Sequence, residues 1–477
     1  MINSIRVGKA VDEFRGAELG DERRAERLQT IIGQLEQDPS KSFPRAMGSD
    51  AALEALYRFI NNDGFTAADI IAPHLESTMR RARALDTVVA VHDTTCVEYG
   101  AKREDLGLTS SKHHFGFVAH VVLMIDEDEA LPLGVAHFET LTRTGKKWAK
   151  RRKEGQRVTA DLDDKTRESL RWIRGVDAVE GLGGGEVDIV HVTDAEGDFF
   201  ELLAHLDDQE ARFVIRAGQL DRVVLKNGEP ENLRDVADEI VAAAWRDVEL
   251  SERKHPRRTN IQTRIRHPER DARCARLAIG STRIAIKRTR YCGVQAETFE
   301  VNVVRIWEPN PPAGEEAVEW VLLTTEDCTS KRKLERIVDI YRKRWMIEEY
   351  FKALKSGCSL EQRQVESYDA LCKVLALFIP IAYRLLLLRA LERLDVEIPA
   401  SRVFSSVDLQ LMAQAPSNRK LPPPKTVADA LTHLARLGGH IRNNGRPGWQ
   451  TLSWGYQKLL TMRLGWEIAT GEKCDQS

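Results

Sequence analysis

The stretch IVDIYRKRWMIEEYFKALK, residues 337–355, is where this sequence commits to a fold. Its apolar residues recur with helical periodicity. With about 100° of rotation per residue from Tyr341, Arg344, Glu348, Lys352 and Lys355 fall within about 80° of one another. Ile340, Met346, Ile347, Tyr350, Ala353 and Leu354 fall on the opposite side. One face therefore packs, and the other presents one carboxylate among two Lys, one Arg and one Tyr. A carboxylate can hold a metal ion while cations and a phenol grip phosphate oxygens. The same face also reads as a solvated one with i,i+4 pairs such as Glu348–Lys352. Other carboxylates joining Glu348 would decide between the two.

Two candidates lie upstream. TVVAVHDTT (87–95) reads as a β-branched strand ending on Asp93, and EVDIVHVTDAEGDFF (186–200) contains one ending on Asp194. In open α/β sheets, sites form outside the C-terminal ends of strands. Aspartates so placed offer the hard oxygen ligands that divalent ions prefer. Aspartate also ends strands simply as a turn former, so the pair needs Glu348 as its third member.

Further out, residues 1 to about 75 look helical. Asp21 is a plausible N-cap before ERRAERLQTIIGQL, and a second helix starts near Ser49 or Asp50. Arg23, Arg24 and Arg27 near the start of the first helix oppose its dipole, which suggests another job for them. Between 86 and 217, β-branched runs at 87–92, 117–125, 188–193 and 212–216 accompany helical stretches near 165–174 and 198–206. That order indicates an α/β sheet with partly parallel strands. GLGGGE (181–186) precedes a strand instead of following one, so it reads as a loop and not as a dinucleotide site. Residues 220–327 are rich in strand signals, such as RLAIGSTRIAIKR, FEVNVVRIW and EWVLLT. Residues 331–357 read as one long helix, and the chain after about 365 as mostly helical. The longest apolar run, Val374 to Tyr383, is half the roughly 20 residues of a membrane span and reads as a buried core helix.

A chain of 477 residues suggests about three domains. Lys+Arg is 71 against 73 Asp+Glu, a net charge of -2, which excludes a uniformly basic nucleic-acid coat. It does not exclude basic patches. Residues 143–157 carry Arg143, Lys146, Lys147, Lys150, Arg151, Arg152, Lys153 and Arg157 against Glu154 alone. Residues 251–290 hold Lys and Arg in large excess over Glu252, Glu269 and Asp271. Such blocks bind polyanions by releasing counterions. Seven scattered Cys without a CxxC argue for a reducing compartment and against a structural zinc site. The N-terminal MINSIRVGKAVDEF shows no apolar signal-peptide core, so a cytoplasmic location and no membrane partner are expected.

These residues resemble a known family. Tyr341, two residues, Arg344, three residues, Glu348, six residues, Lys355 is similar to the Y-R-E-K signature of bacterial cut-and-paste transposases of the insertion-sequence-four group, which carry a DDE triad. VHDTT and VTDAEGD resemble the family's two Asp segments, and LGDERRAERL and ALYRFI its N-terminal DNA-binding region. The resemblance implies an α/β fold: an RNase H-like mixed sheet core with a β-rich insertion, flanked by helical N- and C-terminal domains. The implied bounds are 1–75 for DNA binding, 76–219 and 329–376 for the core, 220–328 for the insertion and 377–477 for dimerisation. Asp93, Asp194 and Glu348 would hold two Mg²⁺ ions, with Mn²⁺ able to substitute. Tyr341, Arg344, Lys352 and Lys355 would hold phosphates. Trp320 would fill the space left by a flipped base, and Arg23, Arg24 and Arg27 would contact DNA. The implied partners are double-stranded DNA, both terminal inverted repeats and target, and a second copy in the DNA complex, in the bacterial cytoplasm. The implied activity is excision, through a hairpin intermediate, and strand transfer. A metal-dependent nuclease without strand transfer, or a catalytically silent DNA-binding relative, is the alternative. A glycosidase pair of carboxylates is disfavoured, because sugars need no clamp of cations.

Overall fold

The computed structural model describes residues 8–100, 105–109, 114–143, 167–250, 252–254, 268–288, 294, 296–393, 398–441 and 447–471. The basic segment 143–157 after Arg143, and 251, 255–267 and 289–290 of the second basic segment, lie outside them.

The chain opens with four helices, α1 (Glu22–Gln37), α2 (Phe43–Met47), α3 (Asp50–Ile60) and α4 (Ala67–Ala82). Their starts follow from local chemistry. Asp21 accepts from the Arg23 amide, Ser49 from that of Ala52, and Thr66 from that of Asp69. There follow β1 (Val88–Tyr99), β2 (Gly107–Leu108), β3 (Phe115–Asp126), β4 (Pro132–Leu141), α5 (Arg171–Gly183), β5 (Ile189–Thr193), α6 (Phe200–Asp208) and β6 (Arg212–Arg216). The strand-rich segment supplies β7 (Val223–Lys226), β8 (Glu229–Asn232), α7 (Leu233–Asp238), β9 (Ala244–Leu250), β10 (Arg273–Lys287), β11 (Thr298–Trp307) and β12 (Glu319–Thr324). The remainder is helical: α8 (Lys331–Lys343), α9 (Trp345–Lys352), α10 (Tyr368–Glu392), α11 (Ser406–Gln414), α12 (Val427–Leu437) and α13 (Trp449–Thr470).

The strands form one sheet in the order β2-β3-β1-β5-β6-β12-β11-β10-β7-β8, with β4 also on β3 and β9 also on β10. The run β4-β3-β1 is antiparallel, whereas β1-β5-β6 is parallel. This is the RNase H-like mixed core. The strand-rich segment does not stand apart from it. β12 pairs antiparallel with β6, Leu322 opposite Arg216, so these strands extend the core sheet and cover the edge that β6 would otherwise expose.

Two expectations need correction. β1 does not end on Asp93. It runs to Tyr99, because β3 pairs with it without interruption from Val88↔Asp126 to Tyr99↔Phe115. What stops near Asp93 is the parallel pairing with β5, whose last pair is Val91↔Val192. Nor is 331–357 one uniform helix. Bonds from the Arg344 amide to the Tyr341 carbonyl (3.0 Å) and from Ile347 to Arg344 (3.2 Å) tighten the turn between α8 and α9. A π turn at Ala353–Gly357 then widens it, closed by Cys358 on Ala353 at 2.9 Å. The apolar side is nevertheless the packed one: Ile340, Ile347, Tyr350, Ala353 and Leu354 are all fully buried.

GLGGGE is the end of α5 and its turn. Gly184 sits at φ 59 as the left-handed cap, a conformation that glycine adopts without strain. The helix α10, which contains Val374–Tyr383, passes the length and composition test for a membrane span, yet that apolar window is wholly buried inside the protein. The described cysteines, Cys96, Cys274, Cys328, Cys358 and Cys372, are free thiols.

Candidate active site

Asp93 lies half-buried on β1, just past the last β1–β5 pair, and its Oδ1 accepts from the Thr94 amide at 2.7 Å. Asp194 ends β5 and caps the short turn Ala195–Gly197, with Oδ1 accepting from the Glu196 amide at 2.9 Å. Gly197 is required there, because a Cβ would stand 2.2 Å from Thr193 Oγ1. The next acid in VTDAEGD has a different fate. Asp198 is buried, accepts from the amides of Gly218 (2.7 Å) and Gln219 (2.9 Å), and pairs with Arg222 at 2.6 Å. Asp198 thus ties the turn to the end of β6, and Asp194 remains available.

The α8–α9 segment brings Glu348 to the two aspartates. Arg344 stands between, with Nη2 2.6 Å from Glu348 Oε1 and Nη1 3.6 Å from Asp93 Oδ2. Asp93 is pushed up to about 7, by burial first and then by the charge of Asp194, with Glu348 adding to it. The Thr94 amide and Arg344 act in the opposite direction. Three carboxylates therefore share one field that a single guanidinium does not neutralise. Among the described residues, no three His, Cys, Asp or Glu side chains converge closely enough to enclose a metal ion, and Arg344 is what joins Asp93 to Glu348. The residues still fit a divalent cation chemically. The donors are hard oxygens, and Asp93 is a carboxyl whose charged form a cation would favour.

The other predicted residues divide. Tyr341 faces inward: it is 5% exposed and meets Trp320 edge-on at 5.7 Å. Burial pushes its phenol up. Trp320, half-buried on β12, lines a 1330 Å³ cleft together with Tyr341, Arg344, Arg216 and Trp345. Lys352 is exposed. Lys355 is engaged with the protein, donating to the Cys96 carbonyl of β1 and pairing with Glu361 at 3.3 Å. At the N-terminus Arg23 and Arg27 are exposed. Arg24 turns back on its own domain, donating to the Leu19 carbonyl at 2.8 Å and lying 5.7 Å over the Phe65 ring.

Two cleft residues were not foreseen. Arg216 ends β6, the strand beside the one that ends in Asp194, and is exposed. Trp345 is 56% exposed with Arg344 5.6 Å from its ring. An exposed tryptophan in the opening turn of α9 was the available signal for the second. Nothing in RFVIR set Arg216 apart from any strand-ending arginine.

Comparison with protein families gives two matches. Residues 9–65 match the family model for transposase DNA-binding, and residues 190–379 match that for the transposase DDE domain. Asp194 and Glu348 fall within the second match. Asp93 precedes it and is tied to it by the β1–β5 pairing. The two matches together support a DNA transposase of the DDE type, with DNA as its partner.

Proposed function

Proceeding from a chain that joins transposase DNA-binding and DDE domains, we propose a cut-and-paste transposase of the insertion-sequence-four group. It excises a mobile element and joins the 3′ ends to target DNA. The observation that carries this reading is the common field of Asp93, Asp194 and Glu348, with Arg344 between two of them. Both steps are phosphoryl transfers, in which catalysis is positioning and electrostatic stabilisation.

Asp93, Asp194 and Glu348 would hold two Mg²⁺ ions, or Mn²⁺ in their place. When bound, such a pair supplies activation of the attacking oxygen and stabilisation of the leaving one. The chain's own residues do the rest. Arg344 and Lys352 take phosphate oxygens at the element's end, with the Tyr341 phenol and Lys355 beside them. Lys355 also holds the stretch of β1 that follows Asp93, through the Cys96 carbonyl. Trp320, backed by Tyr341, forms a wall on which a base displaced from the duplex stacks. Arg23 and Arg27 extend the DNA track, and Arg24 braces the helix that carries them. Excision through a hairpin follows from the resemblance. A second copy is needed to hold the second end, and α13 offers it a surface. Trp454, Leu464 and Ile468, exposed by 44%, 41% and 75%, fall within about 80° on that helix.

The test is a linear DNA carrying the element's ends, incubated with the protein, Mg²⁺ and a target plasmid. Joined products in the plasmid are expected. Cleavage without joining would make the protein a nuclease, and binding without cleavage a silent relative. Ca²⁺ should support end binding with little cleavage, because its looser coordination suits in-line displacement poorly.

A further inference from the structure

Arg171 opens α5, where a cation is poorly placed. The start of a helix is the positive end of its dipole, and no acidic residue stands in this first turn. The side chain is also buried, at 8% exposed. Its purpose is visible at its tip. Nε donates to Thr94 Oγ1 at 2.8 Å, Nη2 to Glu196 Oε2 at 3.0 Å, and Nη1 to the Glu168 carbonyl at 2.9 Å. The Glu168 carboxylate is in turn held by Arg143 through two bonds of 2.9 and 2.6 Å.

Thr94 and Glu196 are the two residues whose amides hold the candidate aspartates. The Thr94 N–H donates to Asp93 Oδ1, and the Glu196 N–H to Asp194 Oδ1. One edge of one guanidinium therefore joins both aspartate-bearing segments. The backbone does not make that link. The last β1–β5 pair is Val91↔Val192, two residues short of either aspartate.

We propose that Arg171 is a positioning residue that fixes the separation and orientation of Asp93 and Asp194, and so the affinity of the divalent-ion site. This rests on the reading of those aspartates as ion ligands. Arginine suits the role because its planar fork presents adjacent N–H groups at a fixed angle, whereas the lysine ammonium is a point charge on a flexible stem. Partners that orient metal ligands typically govern affinity by about 10–100-fold.

The experiment measures Mn²⁺ binding to the full chain without DNA, by electron paramagnetic resonance, beside thermal melting and single-turnover cleavage. Arg171→Lys should bind Mn²⁺ about 10–100-fold more weakly. Its cleavage rate at fixed metal should fall while the affinity for end DNA holds. A role confined to charge or packing predicts rescue by lysine. Glu196→Ala cuts the same link from its solvent side, where the side chain is 67% exposed and its truncation removes little packing. It should weaken Mn²⁺ binding with melting unchanged, and it keeps the test decisive if Arg171 variants fail to fold. Wild-type Mn²⁺ affinity in Glu196→Ala and in folded Arg171→Lys overturns the proposal. Asp93→Asn is the reference. If it too binds Mn²⁺ as wild type does, the ion-ligand reading fails and takes this proposal with it. If it abolishes binding while the other two variants do not, only the positioning role fails.

Discussion

Buried and half-buried arginines meet carboxylates at several places in this molecule, and two of these places are arranged differently. Where the N-terminal helices dock on α10, charges are matched nearly one to one. Arg384 pairs with Glu36 at 2.8 Å, and both are almost fully buried. Arg81 and His74 hold Glu13, at 2.9 and 2.6 Å. The buried Lys373 donates to the Asn62 carbonyl and to Asp369, at 2.7 and 2.5 Å. At the C-terminal end of the parallel strands, Arg344 lies between Asp93 and Glu348, and Asp194 adds its charge to the field at Asp93. The first arrangement spends its charges on holding two parts of the chain in register. The second leaves negative charge uncompensated, at a cost in stability that the proposed binding of cations and phosphates would explain. That contrast separates a structural arginine from a functional one better than burial does.

The contrast can be broken from either side, and the largest stability effect belongs to the docking interface. Glu36→Ala should destabilise the protein by about 3–5 kcal/mol, because it strands a buried guanidinium. The double replacement Glu36→Leu with Arg384→Met should cost less than the single one. Urea melts of the three variants check this. A Glu36→Ala loss below about 1 kcal/mol would mean that water reaches Arg384.

The active-site side predicts the opposite sign. Asp93 holds its proton to about pH 7 in the folded protein, against roughly 3.9 unfolded. Between those values the folded state binds more protons, so stability falls as pH rises, and the whole penalty stands above about 7. Asp93→Asn should therefore melt about 2–4 °C above wild type at pH 8 in chelator, and level with it at pH 4. Equal melting at both pH values would show that Asp93 ionises freely.

The smallest effects sit on the helix itself. Lys352→Ala should lower the salt slope of end binding by about one, with no change in melting. Lys355→Ala should lower the slope similarly and also cost about 1 kcal/mol, since it gives up the Cys96 carbonyl. An unchanged slope for Lys352 would return it to a solvated face.

Much of this was legible in the sequence because it depends on period. The packed side of 340–354, the strand at 212–216 and the caps Asp21 and Ser49 all follow from local spacing and local hydrogen bonding. What escaped depends on partners distant in sequence. β1 runs on past Asp93 because β3 pairs all twelve of its residues, and no pattern within TVVAVHDTT announces that. Tyr341 shares the polar side of the helix wheel, yet it is buried because β12 places Trp320 against it. The tightened turn at Arg344 and the π turn at Ala353–Gly357 break the uniform rotation on which a wheel relies. Arg24 looked like its neighbours in the first helix. Its partners, Leu19 and Phe65, lie on either side of that helix in sequence and meet only in the fold.

The central claim is that Asp93, Asp194 and Glu348 act as one centre, although they lie far apart in sequence. It is tested most directly by single-turnover cleavage of end DNA with Mg²⁺, using Asp93→Ala, Asp194→Ala and Glu348→Ala, each shown to fold and to bind ends. The account predicts that every one of the three abolishes cleavage and joining together while end binding survives. Three folded, end-binding variants that still cut with Mg²⁺ would contradict it.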